Sequence, residues 1–144
     1  MKSRLGNVGK FAVAALALAA VPVIAADIPQ HELHAMLSGA TETKAGDADG
    51  TGHFVAKGVD GKLCYELTVS AIDAATMAHI HKGAAGQNGA PVVPLATPAD
   101  GIAKACVDVA PDLLATILAK PADYYVNVHN AAYPAGAVRG QLAN

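Results

Sequence analysis

Apolar and polar residues alternate through most of the chain, and this pattern predicts β-strands because neighbouring side chains of a strand point to opposite faces. In residues 62–70, for example, Leu63, Tyr65, Leu67 and Val69 share one face. The strands predicted in this way are, in chain order, 31–39, 52–57, 62–70, a strand running from residue 76 to residue 81, then 91–95, 103–109, 124–129 and 137–142.

One short helix is predicted at residues 110–120, where leucine and isoleucine recur at helical spacing. Pro111 suits the first turn, and Pro121 ends the helix. Asp60-Gly61 predicts a tight hairpin, and three glycines in residues 83–91 predict an irregular loop. Together these elements predict an all-β domain, an antiparallel β-sandwich or flattened barrel of about seven to nine strands.

Residues 1–25 have the pattern of a secretory signal peptide. Three basic residues precede an uncharged apolar run at 11–20, and small residues precede an expected cleavage after Ala25 or, as second choice, after Ala26. We therefore expect residues 26–144 to form one exported, soluble domain in the periplasm or outside the cell. No later segment approaches the ~20 apolar residues of a membrane span.

Removal of this leader changes the charge balance. The leader holds three of the ten basic residues and none of the twelve acidic ones, which leaves seven basic against twelve acidic residues and a formal charge of −5. The remaining chain has no basic cluster for phosphate, and two Phe, four Tyr and no Trp offer few rings for stacking on bases. We therefore exclude nucleic acid as a partner; no protein partner is indicated.

Two histidines one residue apart, His79 and His81, indicate a metal site. On a strand they share a face and lie within ~7 Å of each other. His129 stands in another predicted strand, on the same face as Tyr125 and Asn127, which are candidates to orient the imidazole rings. If the two strands are neighbours, three imidazoles meet. Imidazole suits Cu(II), which also tops the affinity order of divalent ions, so we expect copper, with zinc as the alternative.

Arg139 is a further candidate for the residues around such a metal site. Because a cation next to the metal would weaken metal binding, Arg139 also argues partly against the site. We expect it instead to pair with Glu66 or Glu42, or to attract an anionic ligand to an open coordination position of the metal.

The remaining histidines have no assigned role. His31 and His34 are three residues apart, a spacing that suits two ligands on a helix better than on a strand, and His53 lies in a separate strand.

The two cysteines, Cys64 and Cys106, lie in two different predicted strands. Exported proteins usually oxidise such a pair, so we expect one disulfide. Its loop of about 43 residues would make it worth on the order of 4 kcal/mol. The alternative is that both thiolates join a metal site.

Five motifs follow one another along the chain: Leu63-x-Tyr65-x-Leu67-x-Val69, Ala78-His79-Ile80-His81, Gly86-x-x-Gly89-x-Pro91-Val92-Val93, Tyr125-Val126-Asn127-Val128-His129 and Pro134-x-Gly136-x-x-Arg139-Gly140-Gln141-Leu142. In this combination the chain resembles the CHRD domain family, named for chordin and common in exported bacterial proteins, over roughly residues 33–142. The resemblance implies an all-β, Greek-key-like fold outside the cytoplasm. The cysteine pair resembles that of one bacterial branch.

A weaker likeness is to the copper-zinc superoxide dismutases, but the chain has no evident bridging histidine and no zinc loop. Three hypotheses follow. The first is an exported metal-binding protein using His79, His81 and His129. The second is a non-catalytic structural or interaction module whose histidines hydrogen-bond to Asn127, Glu66 or backbone. The third, an enzyme that is dismutase-like or hydrolytic, has the least support, because the chain lacks a nucleophile elbow and paired catalytic carboxylates.

Overall fold

The computed structural model describes residues 32–144. The predicted signal peptide and His31 lie outside these residues. Within them, the chain forms eight strands and one α-helix: β1 (Leu33–Ser38), β2 (Thr51–Val59), β3 (Lys62–Ser70), β4 (Ala75–Lys82), β5 (Pro91–Leu95), β6 (Ile102–Asp108), α1 (Pro111–Ala119), β7 (Tyr124–Asn130) and β8 (Val138–Gln141). Short 3₁₀ turns occur at Gly39–Thr41 and Pro121–Asp123.

The strands form a single antiparallel sheet in the order β5-β4-β7-β8-β1-β2-β3-β6. The sheet curls into a nearly closed barrel. A hydrogen bond of 2.6 Å from the Ala96 amide, just after the edge strand β5, to the Tyr65 hydroxyl links this edge to β3, which lies next to the other edge strand, β6. β4 and β7 are neighbours although they are far apart in the chain, a connectivity typical of Greek-key folds. The predicted all-β class is confirmed, and of the two predicted architectures the barrel describes it best.

The alternation of the sequence becomes the inside and outside of this barrel. Leu63, Tyr65 and Leu67 on β3 lie in the buried core, as predicted. β3 follows β2 through a two-residue hairpin in which Asp60 and Gly61 have φ values of 49° and 78°. A turn with positive φ at both residues matches the twist of the strands, which explains why Asp-Gly stands there.

The helix α1 completes the core. Leu114 and Ile117 are buried, and Leu113 and Leu118 pack partly buried against the core, which is the predicted apolar face. Within residues 32–144, no helix has both the length and the apolar character needed to cross a membrane.

The predicted disulfide is confirmed. Cys64 on β3 and Cys106 on β6 face each other directly in the antiparallel register, with their Cα atoms 3.9 Å apart. Since β6 is an edge strand of the sheet, the bond ties this edge to its neighbour.

β7 differs from the other strands because all seven of its residues are buried. Val126 and Val128 belong to the core. Tyr125, Asn127 and His129 point to the outer face of the barrel, where loops cover them. This polar outer face, buried under loops, is the candidate functional site of the domain.

Candidate metal centre

The three predicted histidines meet on this outer face. β4 runs antiparallel to β7, so that His79 faces Asn127 and His81 faces Tyr125. The ring centroids of His79 and His81 are 5.5 Å apart, and those of His79 and His129 are 5.6 Å apart. The third pair, His81 and His129, is separated by 6.1 Å. The expectation that the two strands are neighbours is therefore correct.

The spacing of the ring nitrogens suits one metal ion. One nitrogen from each histidine lies within 4.8 Å of the other two. Three atoms so placed have a common point no more than about 2.8 Å from each, so shifts of about 0.7 Å bring all three to the ~2.1 Å of a metal–nitrogen bond. Such shifts need only small rotations of the imidazole side chains.

Backbone carbonyls hold two of the rings. The Nδ1 atom of His81 lies 2.9 Å from the Gly89 carbonyl oxygen, and Nδ1 of His129 lies 3.1 Å from that of Pro134. Because a carbonyl oxygen only accepts, each Nδ1 carries a hydrogen and donates it. Each neutral ring then presents the lone pair of Nε2, the usual arrangement of a metal-binding histidine.

One ring nitrogen of each of the three histidines is left without a partner. Nε2 of His81, Nε2 of His129 and Nδ1 of His79 are buried and accept or donate no hydrogen bond within residues 32–144. Buried polar atoms nearly always have a partner, and three exceptions in one cluster are the arrangement that a ligand-binding site requires.

The protonation state also suits a metal. Burial lowers the pKa of His81 and of His129 below the usual 6.5, and the carbonyl hydrogen bonds oppose this effect. Nearby positive charge lowers both values further, from His79 in each case and from Arg139 for His81. The two rings are therefore neutral at neutral pH, the form that binds metal ions.

Tyr125 supports His81 in two ways. Its ring stacks on the imidazole, with centroids 4.9 Å apart and planes 12° apart. Its hydroxyl accepts a hydrogen bond of 3.2 Å from the amide of Gly89, whose carbonyl holds His81. A Cβ atom at residue 89 would collide with the Lys82 carbonyl, so only glycine fits at this close approach.

Asn127 lies beside the histidines but contacts other groups. Its amide nitrogen donates to Glu42 Oε1 and, at 3.1 Å, to the carbonyl oxygen of Val138. Burial raises the pKa of Glu42, while this hydrogen bond and the charge of Arg139 oppose the increase. Asn127 thus anchors the Glu42 loop over the site.

Arg139 is buried, with 2% of its surface exposed, and its guanidinium carbon lies 3.4 Å from the centre of the Tyr125 ring. It donates hydrogen bonds of 3.2 Å to Asn88 Oδ1, 3.3 Å to the Ala84 carbonyl and 2.6 Å to the Gln87 carbonyl. Arg139 therefore holds the loop of residues 83–90, which supplies the carbonyl for His81.

Other residues singled out in the sequence lie elsewhere. Glu66 pairs with Lys104 at 2.8 Å, so the suggested pairing of Glu66 with Arg139 is wrong. Of the hydrogen-bond partners suggested for the histidines, which were Asn127, Glu66 and the backbone, His81 and His129 contact the backbone. His34 and His53 stack on each other, with centroids 6.4 Å apart, on β1 and β2. They are not part of the three-histidine group.

A cavity of about 220 Å³ adjoins the cluster. His81 and His129 line one part of it, and Glu42, Asn127 and Arg139 line another. It offers room for water molecules or a small ligand next to the ring nitrogens.

Comparison with known proteins gives one match. The model of the CHRD domain family matches residues 33–142, a range that includes all eight strands and the three histidines. No curated protein and no solved structure showed significant similarity to the chain.

Proposed function

The chain belongs to the CHRD domain family, and we propose that it is an exported protein that binds one transition-metal ion through His79, His81 and His129. One observation carries the proposal: a buried ring nitrogen of each histidine has no hydrogen-bond partner within residues 32–144, and the three rings converge. Histidines kept only for packing would be expected to satisfy both nitrogens.

Copper is the metal that this ligand set favours, with zinc as the alternative. Imidazole nitrogen binds both ions well, and copper binds more tightly in the divalent series. Three imidazoles leave a coordination position for a further ligand, and the adjoining cavity gives an ion or a water molecule access. Export is supported by the leader pattern of residues 1–25 and by the disulfide, which is typical of oxidising compartments.

A second candidate is a structural or interaction module without metal. It is favoured by the hydrogen bonds through which His81 and His129 tie two loops to the barrel at Gly89 and Pro134. An enzyme like the copper-zinc dismutases has less support, because it would need a second group of ligands for zinc. Within residues 32–144, the three histidines form the one group of three or more side chains that could hold a metal ion.

Metal titration of the chelator-treated protein distinguishes these candidates. We expect the native chain to bind one Cu(II) or one Zn(II). His79→Ala, His81→Ala and His129→Ala should each lower the affinity by more than about 100-fold, because even loss of a group that only orients a ligand lowers it about 10- to 100-fold.

His53→Ala is the matched control, since His53 is an exposed strand histidine outside the cluster. If the three variants bind as tightly as this control, the metal site does not exist. The module interpretation then replaces it.

A further inference from the structure

Met77 is a large apolar residue that remains 46% exposed on β4. It lies directly opposite His129 in the antiparallel register and two residues before His79. Of the two methionines within residues 32–144, Met77 pairs with a histidine of the cluster, whereas Met36 pairs with His53 on β2. We propose that Met77 supplies a thioether sulfur to the metal, which makes the site selective for Cu(I); this inference rests on the proposed function.

An irregularity in the sheet stands at this position. Ala75 pairs with Asn130 and Met77 pairs with His129, so two steps on β4 match one step on β7 and Thr76 is the additional residue. The Thr76 hydroxyl donates a hydrogen bond of 3.3 Å to the His129 carbonyl and anchors the bulge. Bulges are frequent next to functional sites, where they redirect a side chain.

Burial along β4 shows which of its side chains face the site. Ala78 and Ile80 point into the core, so Met77 points outward with the two histidines of β4. Regular alternation would also turn Ala75 outward, but Ala75 is buried in the core. The extra residue therefore lets the core resume at Ala75 while Met77 stays on the histidine face.

The strand pairing places Met77 next to the cluster. Side chains directly opposite each other in an antiparallel pair have Cβ atoms ~4.5–5.5 Å apart. A methionine has three flexible torsions beyond its Cα atom, and the exposure of Met77 leaves it free to turn toward His129. Met77 thus stands beside His79 and His129, whereas the cavity is lined by His81 and His129.

A thioether changes the selectivity of a three-imidazole site. Soft sulfur ligands favour Cu(I), while Zn(II) is well satisfied by imidazole and water. Met77 should therefore strengthen binding of Cu(I) and have little influence on Zn(II).

The test measures Cu(I) and Zn(II) affinities of the native chain, Met77→Leu and Met36→Leu by competition with chromogenic chelators, anaerobically for Cu(I). Leucine conserves volume, and both methionines are exposed strand residues, so folding should be unchanged. We expect Met77→Leu to weaken Cu(I) binding by about tenfold or more, equivalent to at least ~1.4 kcal/mol, with Zn(II) affinity unchanged. Met36→Leu should change neither.

X-ray absorption of the Cu(I) protein provides a direct readout. Both cysteines are in the disulfide, so a sulfur bonded to copper comes from methionine. We expect one sulfur neighbour in the native protein and none in Met77→Leu. Equal Cu(I) affinities of the two leucine variants, or no sulfur at the copper, would overturn this inference and leave the three-histidine site standing. A native chain that binds no metal would overturn both.

Discussion

Removal of the disulfide should lower the free energy of unfolding by about 4 kcal/mol. The bond joins Cys64 and Cys106 across a sequence separation of 42 residues and ties the edge strand β6 to β3. Its main effect is on the unfolded chain, whose conformational entropy it restricts. The perturbation is the double variant Cys64→Ser/Cys106→Ser.

Few native contacts are lost with these two side chains. Cys64 is half-buried and Cys106 is exposed, so replacement by serine neither opens a core cavity nor buries a hydroxyl group. The loop-closure contribution therefore dominates the expected change. With a urea dependence of about 2 kcal/mol per molar, it corresponds to a shift of about 2 M in the midpoint.

Urea unfolding of the metal-free protein, followed by circular dichroism, measures this shift. The control is Glu66→Gln/Lys104→Gln, which removes an exposed ion pair between the same two strands. Such a pair contributes about 0–1 kcal/mol, so the control should stay close to the native chain. Metal affinity should be unchanged in both variants because β3 and β6 supply no histidine of the cluster.

A disulfide variant that loses less than about 1 kcal/mol, with an unchanged urea slope, would refute this reasoning. It would mean that the unfolded chain is already compact around the two cysteines, so that the bond removes little entropy.

Two further predictions concern the site. Burial lowers the pKa of His81 and His129, so at mildly acidic pH the unfolded metal-free chain binds protons that the folded chain does not. The free energy of unfolding should therefore be highest above about pH 6.5 and should fall as the pH drops through the lowered pKa values of the two histidines. Urea unfolding at a series of pH values measures this, and a flat profile would contradict it. Arg139→Met should lower the free energy of unfolding by about 2–4 kcal/mol, because it removes the hydrogen bonds that the buried guanidinium group donates to the 83–90 loop. Amide hydrogen exchange in that loop should accelerate relative to the exposed control Lys57→Met, and equal exchange rates would contradict the anchoring role.

Much of the fold was predictable because strand alternation is a local property. β3 begins and ends at the predicted residues, Lys62 and Ser70. β2 is longer than predicted, since the Asp60-Gly61 hairpin keeps its pairing up to Val59 and Lys62. The shared face of His79 and His81 follows from the same alternation.

The surroundings of the histidines were less accessible to sequence reasoning. The neighbourhood of His129 depends on sheet order, which alternation does not specify. The carbonyls of Gly89 and Pro134 depend on the path of two loops, although both residues stand in the motifs that resemble the family. The contact of Glu42 with Asn127 depends on how the loop after β1 folds back, which local sequence patterns do not show.

The bulge at Thr76 was also not predicted. Alternation counted from His79 places Met77 on the histidine face, but it would turn Ala75 outward as well, and only the bulge returns Ala75 to the core. A bulge arises from pairing with another strand, so it leaves no clear local signal.

Anomalous diffraction from crystals of the copper-loaded protein, repeated with zinc, would locate the bound metal ion. We expect one anomalous peak per chain, ~2.0–2.1 Å from a ring nitrogen of each of His79, His81 and His129. The carbonyl contacts of His81 and His129 should remain in place. A cluster that stays free of metal at saturating copper, or a peak found only beside His34 and His53, would contradict this expectation.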